Sequence, residues 1–426
     1  MDQEQLAICQ WLDNNQHRAV KLLQKLVEQP STQGNEASAQ AIVLEKCRQI
    51  GLEIDIWEPG GKKLKSHRHF YSTRSNFKES PNIAAVLKGS GGGKSLIFNG
   101  HIDVVPEGDL EQWDREPFFP KLENGNVYGR GTSDMKGGNV SMLMALEAIS
   151  RCQTSIKGDI IFQSVIEEES GGAGTLDAIL RGWEADAAII PEPTNMKIFP
   201  KQQGSMWFKV IVHGKSAHGG TRYEGVSAIE KAMMVMNHIR ELEKVRNDRI
   251  TDPLYASTPI PIPINIGKIT GGNWPSSVPD RVILEGRCGV APNEQMEEVQ
   301  QEMQEYLERL AGFDPWFADH PAELQWYGAR WLPNELEPDH LLIDCLVQSF
   351  KEVTGEQPVM EASPWGTDAG MISAAGSIPS IVFGPGITET AHHPNEYIPV
   401  KNVIQAAKVM ALFALKWCRT SKGESN

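Results

Sequence analysis

Two histidines and a set of carboxylates stand where short apolar runs end. The first histidine is His101, in Phe98-Asn99-Gly100-His101-Ile102-Asp103. A carboxylate two residues on can accept one ring N–H, which fixes the tautomer and raises the basicity of the other nitrogen toward a metal. A satisfied core histidine would look the same in one sequence. Asp134 closes Tyr128-Gly129-Arg130-Gly131-Thr132-Ser133-Asp134, whose glycines permit a tight turn, and it reads either as a ligand or as a helix N-cap. Glu167, Glu168 and Glu169 end the run Ser164-Val165-Ile166. Adjacent carboxylates repel, so at the mouth of a sheet they call for cations or a shared proton, whereas on a surface they need neither. Glu192 follows Ile189-Ile190-Pro191, and His392 lies in Thr390-Ala391-His392-His393-Pro394, shortly after the run Ser380–Phe383.

The elements that must position these groups can be read from periodicity. Runs at Ile83–Leu87, Ser95–Phe98, Asp159–Ile166, Ala185–Ile190 and Ser380–Phe383 predict strands buried on both faces, and Met142–Ile149 a helix between them. Two helices are expected over Leu6–Ile50, an alternating strand over Gly51–Trp57, and a solvated loop over the basic, aperiodic Gly60–Ser80. The middle reads strand Ser205–Val212, helix Gly225–Glu243, strands Ile262–Ile269 and Arg281–Cys288, helix Glu294–Leu310 and strand Glu323–Trp331. That order is a split βαβ, ferredoxin-like unit, so the chain divides into 1–202, an inserted 203–332 and 333–426. Leu341–Val353 returns the chain to the first domain, Val403–Trp417 reads as a packing helix, and Arg240–Arg249 as a solvated helix end. The class is α/β. Four of the five motifs follow a strand directly or by one short loop, the edge at which open α/β sheets bind ligands. A mixed His and carboxylate set suits Zn, Co or Mn, and five ligands exceed a mononuclear catalytic zinc site. Two metals sharing one carboxylate account for the surplus.

Composition narrows the partners. With 41 Lys+Arg against 55 Asp+Glu the formal charge is −14, which repels nucleic-acid phosphates and anionic lipid. No apolar run approaches a membrane span and no basic leader precedes one, so a cytoplasmic protein acting on a small molecule is expected. The six cysteines are scattered without a CxxC pair, which excludes a zinc ribbon or a disulfide scaffold. Gly89-Ser90-Gly91-Gly92-Gly93-Lys94-Ser95 is one residue short of a phosphate loop and leads into a strand.

On His101-Ile102-Asp103, Gly129-Arg130-Gly131 with Asp134, Glu168-Glu169, Glu192-Pro193-Thr194 and His392, the chain resembles the co-catalytic metallopeptidase and amidohydrolase family. That family includes acetylornithine deacetylase, succinyl-diaminopimelate desuccinylase, aminoacylase and the glutamate-releasing carboxypeptidases. The resemblance implies a mixed-sheet di-metal catalytic domain with an inserted ferredoxin-like lid and dimerisation domain, and a homodimer. It implies one metal, Zn or Co, on His101 and Glu192, a second on Glu169 and His392, and Asp134 bridging them before a cis peptide to Met135. It further implies Glu168 as general base, Asp103 as partner of His101, His218 of the lid motif 214–220 at the oxyanion in preference to His213, and Arg287, Thr367 and Asp368 near the substrate. Two positions depart from the family pattern: Ser276-Ser277-Val278-Pro279 replaces Asn-Val-Ile-Pro, and Glu167 replaces Asp. Length and the segment 60–80 are similar to the acetylornithine-deacetylase-like branch that contains the thiamine-salvage deformylase. Release of a formyl group from a formylaminopyrimidine is therefore expected, with acetylornithine deacetylase or another N-acyl-amino-acid deacylase or exopeptidase as the alternative.

Overall fold

A computed structural model describes residues 1–422, in two compact units. Among the described residues the first comprises Met1–Lys201, Asn334–Glu361 and 367–422, and the second Gln202–Pro333 with Ala362–Gly366. The sequence-based partition left 362–366 in its last part. The segment belongs with the second unit because the Gln203 amide donates to the Ser363 carbonyl and Gly366 lies against the Trp331 side chain.

The first unit is built on a nine-stranded mixed sheet ordered Glu53–Trp57, Asn82–Leu87, Ile160–Val165, Leu96–His101, Ala188–Ile190, Ser380–Val382, Ile198–Gln202, Asn334–Glu335, with Met360–Ser363 beside Ile198–Gln202. Four central strands run parallel, with His101 opposite Val165, Phe98 opposite Ile189 and Val382 opposite Ile190. Because the register is aligned, the residues that follow each strand emerge at one edge. Those residues include Glu167–Glu169 and Glu192. Helix Gly137–Arg151 is buried along nearly its whole length, and Val400–Arg419 buries a broad apolar face while its lysines stay at the surface. Among the described residues no helix is long and apolar enough to cross a membrane.

Where the structure departs from periodicity, packing explains why. The N-terminal region forms three helices, Gln3–Asn14, Gln16–Val27 and Ala37–Ile50, because Asp2 makes a capping box with Gln5 and Asn15 interrupts what reads as one helix. The segment 60–80 is not simply solvated: it carries a short helix, Gly61–Lys65, and buries Leu64, Phe77 and Ser80. Arg246 is only 3% exposed and pairs with Glu294 at 2.6 Å and with Glu302, so the expected solvated helix end is an internal ion-pair cluster. At the glycine-rich turn, Asp186 accepts from both the amide and the hydroxyl of Ser95, the groups a phosphate would need, while Lys94 stacks on Trp417.

The second unit is a four-stranded antiparallel sheet ordered Ile264–Gly271, Arg281–Val290, Gly204–His213, Glu323–Trp331, with helices Ala228–Asn247 and Met296–Glu308. Chain order and strand order together make it ferredoxin-like.

A helix and a loop of the first unit approach each other through a glycine. A Cβ at Gly138, in the first turn of Gly137–Arg151, would lie 2.1 Å from the Pro191 carbonyl oxygen, immediately before Glu192. Gly138→Ala is therefore expected to push the Glu192 loop away and to destabilise the chain by about 1–3 kcal/mol in urea unfolding.

Candidate metal centre and active site

His101 is the last residue of its strand and 1% exposed. Its Nδ1 lies 2.8 Å from the backbone carbonyl of Asp103, while the Asp103 carboxylate is 3.7 Å away. The orienting acceptor is thus the carbonyl, a correction to the expected side-chain contact. The carboxylate turns instead to the amides of Glu168 and Glu169, at 3.4 and 3.2 Å, and holds the start of their turn. A carbonyl can only accept, so Nδ1 carries the proton and Nε2 faces outward.

What Nε2 faces is a row of carboxylates. Asp134 Oδ1 is 3.1 Å from it and Glu192 Oε1 3.7 Å. The other oxygen of Asp134, Oδ2, is 3.1 Å from His392 Nε2, which is also 3.0 Å from Glu169 Oε1. Asp134 therefore spans the two histidines with one oxygen each. The donor atoms of His101, Asp134 and Glu169, and those of His101, Glu168 and Glu192, lie within 4.8 Å of one another.

Electrostatics show what this grouping costs. Burial pushes Glu192 up to about 7, and burial with nearby Glu192, Asp368 and Glu169 raises Glu168 well above the carboxylate range despite His101. Glu169 and Asp134 drive the His392 imidazole up to about 12. Burial opposes the charging of His101, but its carboxylate neighbours outweigh it. The lone pair of a neutral imidazole could not face carboxylates without repulsion, so the set fits cations at its centre. Two imidazole nitrogens and a row of carboxylates make a mixed nitrogen and oxygen donor set that could hold divalent metal ions.

Residues far apart in sequence hold the cluster. Glu396, fully buried, accepts from Arg130 at 2.9 Å and from the amides of Gly131, Ser133 and Asp134 at 2.9, 2.8 and 3.1 Å. Arg130 also donates to the carbonyls of His392 and His393. The pair thus ties the Asp134 turn to the His392 loop. A small sheet, Lys121–Glu123, Asn126–Tyr128 and Tyr397–Pro399, aligns the same two segments. Arg130 stands in the Gly129–Asp134 turn and Glu396 just past the His392 motif, and neither has an expected task; a charged residue within a glycine turn was the available signal. The peptide between Asp134 and Met135 is cis.

Other expected site residues have visible local partners. Thr367 caps helix Asp368–Gly376 with its hydroxyl, and Asp368, 3% exposed, accepts from Thr175 at 2.6 Å behind Gly172. In the second unit His218 pairs in register with Ser277, and its Nδ1 accepts the Gly220 amide at 3.0 Å. The segments 214–220 and 276–279 therefore form one structure. His213 is paired with Glu323 at 2.8 Å instead. Arg287 lies opposite Trp207 and Asn265, and burial lowers its guanidinium from the ordinary arginine value.

Residues 97–416 match the model of peptidase family M20/M25/M40. The chain belongs to that family. It is accordingly a hydrolase with the M20 fold. It is 32% identical over 436 residues to the N-formyl-4-amino-5-aminomethyl-2-methylpyrimidine deformylase of Halalkalibacterium halodurans, covering 96% of this chain and 97% of that protein. It is 30% identical over 449 residues to the deformylase of the same name from Bacillus subtilis, covering 99% and 100%. A dinuclear metal-binding peptidase of the M20 family from Bacillus subtilis superposes with a TM-score of 0.64 at 17% identity, covering 96% of this chain and 99% of the other.

Two tests follow from the cluster. Chelation should lower the melting temperature by several degrees, because a ligand held a thousandfold below its concentration contributes about 4 kcal/mol and its loss leaves the carboxylates facing each other. Calorimetry with and without chelator reads it. Glu396→Gln should cost roughly 3–5 kcal/mol by leaving Arg130 buried and unpaired, measured by chemical denaturation.

Proposed function

We propose that this chain is a two-metal deformylase that removes the formyl group from a formylaminopyrimidine. The observation that carries the catalytic part is the Asp134 carboxylate, with one oxygen at 3.1 Å from His101 and the other at 3.1 Å from His392. His101 and Glu192 would hold one ion, Glu169 and His392 the other, with Asp134 shared and Zn or Co as the metal. The substrate part is supported by the relatives named above, at 30–32% identity over nearly the full chain.

Divalent ions at such a set acidify water and polarise an amide carbonyl. Glu168 takes the proton of the attacking water and passes it to the leaving amine. Burial first, and the neighbouring carboxylates after it, raise its affinity for protons, the direction a proton-accepting group needs. Asp103 fixes the backbone from which Glu168 projects. His218, with Nδ1 engaged by the Gly220 amide, carries its proton on Nε2 when neutral and offers that N–H to the developing oxyanion. Arg287, which pairs with no carboxylate among the described residues, serves the substrate's polar groups together with Thr367 and Asp368. A homodimer through the second unit is supported by its edge strand Ile264–Gly271 and the exposed Ile229, Met233 and Ile269. Six free cysteines fit a cytoplasmic setting.

Incubation of metal-loaded protein with N-formyl-4-amino-5-aminomethyl-2-methylpyrimidine should release formate, and N-acetylornithine should release little acetate. Acetate release without formate would make the chain a deacetylase instead. Glu168→Gln should lower turnover by about a hundredfold or more with metal content unchanged; loss of both metals in that variant would remove Glu168 from the role of base.

A further inference from the structure

The segment after Gly61–Lys65 is strapped onto the turn that carries Glu168. Arg74 lies between two fully buried carboxylates, with Nη1 at 3.1 Å from Glu36 Oε1 and 3.1 Å from Glu167 Oε1. Its Nη2 donates to Ser80 at 2.7 Å, and Ser80 donates to Glu36 at 2.6 Å. Ser72 donates to Glu167 Oε2 at 2.7 Å, and Gln33 donates to both Glu167 oxygens at 3.1 Å. Phe77, 2% exposed, anchors the strap beneath Arg74. Tyr71 lies against Gly171, where a Cβ would come within 3.2 Å of its ring. Glu167 itself sits at φ +67°, in the left-handed region, directly before the turn Glu168–Ser170.

We propose that Arg74 is a positioning residue for the general base, acting through Glu167; the assignment rests on the reading of Glu168 given above. Asp103 grips the amides of Glu168 and Glu169, and the strap grips the side chain of Glu167. Glu168 is thus clamped by groups on either side of it in sequence. The length of Glu167 is part of the device. An aspartate there would retract the carboxylate by about 1.5 Å, one C–C bond, and break its contacts with Ser72 and Arg74. Glu167 and the segment 60–80 are therefore two halves of one feature. Arg74 also neutralises carboxylates that would otherwise stand uncompensated beside the acidic cluster.

The test is a cycle of Arg74→Met, Glu167→Gln and the double variant, with Arg74→Lys as the conservative change, on metal-loaded protein normalised to folded chain. Each single neutral variant should lower kcat by about tenfold to a hundredfold with KM within about twofold of the parent. The double variant should be no worse than the singles, and Arg74→Lys should recover part of the loss. Hydrogen exchange of 167–172 should accelerate in Arg74→Met while Ile160–Val165 keeps its protection. Unchanged kcat, additive losses, a loss carried by KM, or unaltered exchange at 167–172 would overturn the assignment. Should Arg74→Met not fold, Arg74→Lys and Glu167→Gln carry the comparison. If the parent chain hydrolyses no amide, the functional reading fails, and the exchange measurement still decides whether Arg74 positions the turn.

Discussion

Repulsion among carboxylates brought to one sheet edge is the constraint around which the first unit is organised. Glu168, Glu169, Glu192 and Asp134 all approach His101, and burial makes each charge costlier than it would be in water. Neither histidine can neutralise the set: both are flanked by more than one carboxylate. Divalent cations would resolve the conflict, and the same repulsion would favour their binding. The net charge of −14 acquires a location in this way.

The surrounding structure keeps those carboxylates from relaxing apart. Parallel register delivers the ends of four strands to one edge, so His101, Glu167–Glu169 and Glu192 are placed by hydrogen-bonded backbone. Asp134 and His392 come from loops and need a separate device. Arg130 with Glu396 supplies it, the carboxylate collecting three backbone amides while the guanidinium reaches the His392 loop. Glycine matters at the close approach of Gly138 to the Pro191 carbonyl, since a side chain there would push the Glu192 loop away from the helix that follows Asp134.

Much of this was legible in the chain. The ferredoxin-like insertion reads correctly because alternating strands and amphipathic helices carry their own period, and Glu323–Trp331 has the same ends in both descriptions. The N-terminal helices read as two instead of three because a single capping break at Asn15 leaves little trace in periodicity. The segment 60–80 reads as solvated because its burial depends on partners elsewhere. Arg74 meets Glu167 across 93 positions, and no local pattern marks that meeting.

By itself the sequence determined the chemistry: which donor types are present, and that most of them follow, directly or by one short loop, an apolar run short enough to be a buried strand. Those are local properties, set by side-chain type and by the period of the backbone. Tertiary structure decided the contacts. It gave the His101 ring to the Asp103 carbonyl and freed the carboxylate to hold the Glu168 turn. It set one Asp134 oxygen toward each histidine, and it paired Arg130 with Glu396 across 266 positions. Such choices depend on distances of a few tenths of an ångström between groups remote in the chain, and only the packed sheet and its register establish those distances.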